Sequence, residues 1–188
     1  MKGKSLLALL LVAWCISASA ATQLKIVTAR GVVSFVADDD WTVHSMQTKL
    51  PVAAVVFQLP NAADQGTPHS TNLILKLYDN STAAREGFEA PVQQRGGTPA
   101  SVKAWEGWRV WRQTARQGDS VYTILDAKRD HVADVAASVR LAWPHLPANT
   151  KRYDADMEAR FRAFLRSIDG QVGPHTPVSG EMIRRPAQ

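Results

Sequence analysis

The residues with the most chemical potential in this sequence lie close together. The stretch "KAWEGWRVWRQTARQG", residues 103–118, holds Trp105, Trp108 and Trp111 with Arg109, Arg112 and Arg116. Tryptophan rings beside guanidinium groups can stack on nucleic-acid bases, anchor a protein interface, or fill a core and solvate a sheet. The backbone decides between these. A helix would gather Trp105, Trp108 and either Trp111 or Arg112 on one face, but Gly107 interrupts it. Strands fit better. Glu106-Gly107 turns a hairpin, after which Trp108, Val110, Arg112 and Thr114 point one way and Arg109, Trp111, Gln113 and Ala115 the other.

Other constellations offer less. His44, His69, His131, His145 and His175 stand at no metal-ligand spacing such as H-E-x-x-H. Asp38-Asp39-Asp40 lacks the further oxygens and distal glutamate of a calcium loop, and reads as a polar hairpin turn. There is no G-x-S-x-G elbow and no S-x-x-K. Ser120 or Ser138 could be drawn into a triad with Asp130, His131 and Asp134, a coincidence that any chain of this length offers. Asp154 with Asp156, and Glu86 with Glu89, suit helix ends and solvated faces. Gly96-Gly97 lacks the rest of a phosphate loop. No catalytic residue, metal or cofactor is expected.

The start of the chain sets the compartment. "MKGKSLLALLLVAWCISASA" has two lysines, an apolar run and an A-x-A site, so residues 1–20 read as a signal peptide cleaved after Ala20. The apolar run is shorter than the ~20 residues needed to span a bilayer. Cys15 follows Trp14 rather than a small residue, which argues against lipidation, so no stable membrane anchor is expected after cleavage. The mature chain then lacks cysteine and must be held by a core rather than disulfides. Loss of Lys2 and Lys4 from 22 basic and 17 acidic residues leaves a net charge of +3, mild for a nucleic-acid binder. A periplasmic protein without a nucleic-acid partner is expected.

Periodicity supplies the elements. Residues 31–37 and 41–50 read as a hairpin turning at the acidic triplet, and 52–59 as a buried strand. Residues 60–70 read as a loop, and 71–79 alternate as a strand. Asn80-Ser81 caps a short helix that Pro91 ends, and "RGGTP" at 95–99 is a break. Residues 108–115 and 121–130 are strands around a turn at 116–120. Residues 131–138 suit either strand or helix, whereas 139–143 read as a strand. Residues 153–170 place Met157, Phe161, Phe164, Leu165 and Ile168 on one helical stripe, with acidic residues in the first turn. The expected architecture is a single α+β domain over 21–170, followed by a flexible tail at 171–188. It has one antiparallel sheet of about six or seven strands, with two helices packed on one face.

The layout from "SFVADDDWTV" through "TNLILKLYD", "SVYTILDAKRD" and "VRLAWP" to the closing "FLRSID" resembles the PsbP-like fold over about residues 30–169. Members of that group are mostly noncatalytic: extrinsic photosystem subunits, a nuclear transport factor, envelope lipoproteins and type VI secretion chaperones. The resemblance implies binding or scaffolding and brings no site residues with it.

With one of Trp108 or Trp111 filling the core, the remaining aromatic and cationic side chains are expected to be partly exposed. Trp105, Trp108, Arg109, Trp111, Arg112 and Arg116 are therefore the candidate partner-binding residues, and the partner is expected to be a protein with an acidic surface. The narrower expectation is an immunity protein that neutralises a toxin delivered into the periplasm by type VI secretion. The alternatives are a structural envelope scaffold, or a small envelope hydrolase or lipid-binding protein. The last needs a deep, partly apolar pocket between the sheet and the final helix.

Overall fold

The computed structural model describes residues 21–28, 30–60, 71–92, 103–145, 150–173 and 185–186. The leader at 1–20, the loop at 61–70 and the Gly96-Gly97 break lie outside them. The order is β1 (Ala21–Thr28), β2 (Gly31–Asp38), β3 (Thr42–Gln47), β4 (Val52–Leu59), β5 (Thr71–Tyr78), α1 (Thr82–Glu89), β6 (Lys103–Trp105), β7 (Trp108–Gln117), β8 (Ser120–Val132), β9 (Val135–Pro144), α2 (Thr150–Ser167), β10 (Asp169–Val172) and β11 (Arg185–Pro186). The class is α+β, as the periodicity predicts.

Two antiparallel sheets form. The larger has seven strands in the order β3-β4-β5-β9-β8-β7-β6, and the smaller four in the order β10-β2-β1-β11. Strand alternation gives each sheet one apolar face. In β4 the buried set is Ala53, Val55, Phe57 and Leu59, and in β5 it includes Leu73, Leu75 and Leu77. Register places Phe57 beside Leu73 and Leu75 beside Val139, so these sets merge into one surface. The smaller sheet and α2 both close onto it: Leu24, Ile26, Val33, Phe35, Phe161, Phe164 and Leu165 share its core. Phe164 lies at the centre, with ring centroids 5.7 Å from Phe35, 5.6 Å from Trp41 and 6.3 Å from Phe57.

Several expectations need correction. The two helices do not share a face. Phe88 of α1 packs 5.6 Å from Tyr78, whose side chain points opposite to Leu77, so α1 covers the reverse of the seven-stranded sheet. The single sheet is joined by a second, whose strand β1 carries the alternating buried residues Leu24, Ile26 and Thr28. The acidic triplet turns no hairpin: β2 pairs with β1 while β3 pairs with β4, so Asp38-Asp39-Asp40 carries the chain between sheets. Its charge is used by Arg160 of α2, which reaches Asp38 at 3.4 Å and Asp40 at 3.3 Å.

Residues 131–138 are strand, broken by a turn in which Ala133 takes φ 55°. The α2 helix begins at Thr150, so its first turn holds no acidic residue and Asp154 belongs to the second. Strand pairing extends past 170: β10 continues to Val172 against Gly31, and β11 pairs with Thr22 and Gln23. The β10 path depends on glycine. A Cβ at Gly170 would lie 2.2 Å from the Ala133 nitrogen, and one at Gly31 2.4 Å from the Gln171 carbonyl oxygen.

Candidate functional site

The Trp–Arg segment forms the hairpin its sequence predicts. Trp105 pairs with Trp108 across a turn in which Glu106 (φ 52°) and Gly107 (φ 83°) both take the left-handed backbone that tight hairpins require. Alternation along β7 then splits the segment between two faces.

The face towards α2 takes Trp105, Trp108 and Arg112. Trp108 is 1% exposed and belongs to the core, so it is unavailable for docking. Trp105 is half-buried against α2, edge-on to Phe161 at 6.3 Å and with the Arg162 guanidinium 4.1 Å above its ring. Arg112 is engaged within the molecule, donating to Asp154 at 2.9 Å and to Glu158, while standing 6.0 Å over the Trp143 ring. Asp154 also accepts from Trp143 Nε1 at 2.8 Å. Arg166 pairs with Glu106 across the same seam. Arg116 is exposed near the end of β7. The space expected between the sheet and the final helix is occupied by Met157, Phe161, Phe164 and Leu165. A niche of about 60 Å³ beside Trp105, Arg112 and Glu158 opens at its rim.

The other face keeps Arg109 and Trp111. Trp111 is half-buried there and Arg109 is exposed, held by Asp130 at 3.2 Å. Arg85 of α1 bridges the same carboxylate at 3.3 Å and Glu89 at 2.8 Å, tying the helix to β8. Gln113 donates to Asp126 at 2.7 Å, and Arg140 donates to Asp126 through Nε at 2.6 Å and Nη2 at 3.3 Å. Asp126 is 7% exposed, so both its oxygens are spent on partners it needs for burial.

Strand register arranges this face in rows. Lys76, Ser138, Lys128 and Arg109 lie side by side across β5, β9, β8 and β7. The next row is Ile74, Arg140, Asp126 and Trp111. With strands about 4.8 Å apart, Lys76 and Lys128 are separated by about 10 Å, with Ser138 between them. Beneath Ala90, Pro91 and Val92, these rows line one recess of about 320 Å³ and a neighbouring one of about 280 Å³. The first holds Lys76, Tyr78, Asp126, Ser138 and Arg140, the second Arg109, Trp111 and Gln113, and Lys128 belongs to both. Lys128 donates to the carbonyls of Phe88 and Ala90, satisfying the end of α1. Burial pulls the Lys128 ammonium below its ordinary pKa, opposed by Glu89.

Sequence reading finds Arg109 and Trp111 on one face of β7. It misses Lys76, Lys128, Ser138 and Arg140, which only sheet register brings together. Among the described residues, no cluster of His, Cys, Asp and Glu could hold a metal ion, and no helix is long and apolar enough to cross a membrane.

No protein-family model and no curated protein matches the chain. Among solved structures, it is similar to a protein of Bacteroides thetaiotaomicron with a TM-score of 0.49 and 10% identity, covering 81% of this chain and 50% of that one. This chain therefore spans about half the length of the Bacteroides protein. It is also similar to LpqN, involved in cell envelope biogenesis of Mycobacterium tuberculosis, with a TM-score of 0.46 and 9% identity, covering 80% of this chain and 91% of that one.

Proposed function

We propose that the chain is a noncatalytic periplasmic module that binds an acidic protein partner through the face of the seven-stranded sheet opposite α2. One observation carries the reading: the β6–β7 hairpin turns Trp105, Trp108 and Arg112 towards α2, where Trp108 is buried and Arg112 is held by ion pairs, and leaves Trp111 half-buried beside the exposed Arg109 on the reverse face. Tryptophan and arginine dominate interface hot spots because they combine large contact area with directional bonding. The cations Arg109, Lys76 and Lys128 on that face select a negative partner and speed its approach. The leader read from residues 1–20 and the PsbP-like layout support an exported binding role rather than turnover.

The narrower reading is an immunity protein that captures a toxin delivered into the periplasm by a type VI secretion system. A toxin-like reading frame beside the gene would favour it, whereas a place among envelope-assembly genes favours the scaffold alternative. The direct test is capture from periplasmic extract with immobilised protein, comparing wild type with Trp111→Ala. A partner held by wild type and lost from the variant is expected. Equal recovery on both would defeat the assignment of this face.

A further inference from the structure

We propose that the recess between Ala90–Val92 and strands β5, β9 and β8 is a binding site for a small organic acid, whose carboxylate sits over Ser138 between Lys76 and Lys128. Among the described residues the lining holds one carboxylate, Asp126, and its oxygens already accept from Gln113 and Arg140. The α1 carbonyls that face the recess already accept from Lys128. What remains is donor-rich. An ammonium has three N–H groups, and Lys128 spends two. A guanidinium has five, and Arg140 directs two at Asp126. Lys76 carries an exposed ammonium at the mouth. The Ser138 and Tyr78 hydroxyls lie 3.4 Å apart, so one donates to the other and one proton of the pair is left for a ligand.

A recess whose carboxylate is already engaged, and whose ammonium and guanidinium groups keep N–H donors to spare, is complementary to a group that only accepts. Two charged lysines flanking it favour an anion. Counting Lys76, Lys128 and Arg140 against Asp126, the lining keeps a positive excess. The rest of the lining sets the body of the ligand. Ile74, Val92 and the Tyr78 ring are apolar, and an inorganic ion would leave them uncovered. The volume of about 320 Å³ suits a small molecule, and the neighbouring recess extends it past Lys128 towards Trp111. The ligand class is an acid with a short apolar chain.

The test is a nuclear magnetic resonance titration of the purified full-length chain with hexanoate, with inorganic phosphate and 1-hexanol as parallel probes. Saturable shifts with hexanoate at residues 74, 76, 78, 128, 138 and 140, absent with hexanol and weaker with phosphate, are expected. Lys76→Met should weaken binding about tenfold, the loss of one charge-assisted hydrogen bond. Tyr78→Phe should weaken it severalfold, and Arg116→Gln should leave it unchanged. No saturation with hexanoate at these residues, equal binding in Lys76→Met, or phosphate binding as strongly as hexanoate would each overturn the proposal. The site shares Lys76 and Lys128 with the proposed docking face, and separate variants distinguish the two readings. Lys76→Met that still captures a protein partner leaves the docking face intact, and Trp111→Ala that still binds hexanoate leaves this site intact.

Discussion

Arg112 of β7 and Trp143 of β9 are locked together by a single carboxylate. The guanidinium stands 6.0 Å over the indole, and Asp154 accepts from Arg112 at 2.9 Å and from Trp143 Nε1 at 2.8 Å. Trp143 is fully buried, and its ring nitrogen takes Asp154 as the acceptor that replaces water. The arrangement staples α2 to the middle of the sheet and engages the Arg112 guanidinium within the molecule.

Asp154→Ala therefore leaves a buried indole N–H without an acceptor and should cost about 1–3 kcal/mol of stability in urea unfolding. Arg112→Ala removes ion pairs of a half-exposed group, so solvent screening holds its cost to about 1 kcal/mol or less. Partner capture should survive Arg112→Ala once folding is confirmed by circular dichroism.

Trp108 and Trp111, three positions apart on β7, should behave oppositely. Trp108→Ala empties a fully packed site and should cost about 3–5 kcal/mol. Trp111→Ala, on the half-covered face, should cost about 1 kcal/mol in stability and about 2 kcal/mol or more in binding. Denaturant midpoints and affinity for the captured partner separate the two. Loss of stability as large at Trp111 as at Trp108 would place Trp111 in the core.

Gly170→Ala should destabilise strongly, because its methyl would sit 2.2 Å from the Ala133 nitrogen and 2.7 Å from the Val132 carbonyl carbon. These neighbours are backbone and cannot rotate away, so β10 must detach from β2 or shift. A cost of about 1–3 kcal/mol is expected. Hydrogen exchange should show lost protection at residues 169–172 and 31–34, where the two strands pair.

Asp38 gives a pH signature. Burial raises its pKa above 3.8, only partly offset by Arg160 and reinforced by Asp40, Asp156 and Asp39. The folded state then holds this proton more tightly than the unfolded state. Its contribution is fully present below 3.8 and is lost as pH rises through the higher folded value. Asp38→Asn should flatten this part of the stability–pH curve over acid pH above 3.8, as read from melting temperature. An unchanged slope in the variant would contradict the assignment.

What was legible in the sequence was local. Alternation in "WRVWRQTA" places Trp108 and Arg112 opposite Arg109 and Trp111 because successive strand side chains point to opposite faces whatever the fold. The apolar stripe of α2 is legible for the same reason, with Phe161, Phe164 and Leu165 buried where a helical period puts them. What failed was pairing at a distance. Asp38-Asp39-Asp40 looks like a hairpin turn because strands flank it, yet β2 and β3 belong to different sheets. The row Lys76, Ser138, Lys128 and Arg109 draws on four separate strands, and nothing in their spacing announces the register that aligns them. The Arg112 ion pair with Asp154 of α2 likewise joins residues 42 positions apart.

The most direct test of the docking account is to measure partner capture by wild type, Trp111→Ala, Arg109→Gln and Arg112→Ala in parallel, at equal folded concentration. The account predicts binding by wild type and Arg112→Ala, with large losses in Trp111→Ala and Arg109→Gln. Binding that survives in the Trp111 and Arg109 variants but disappears in Arg112→Ala would contradict it, placing recognition on the α2 side of the sheet.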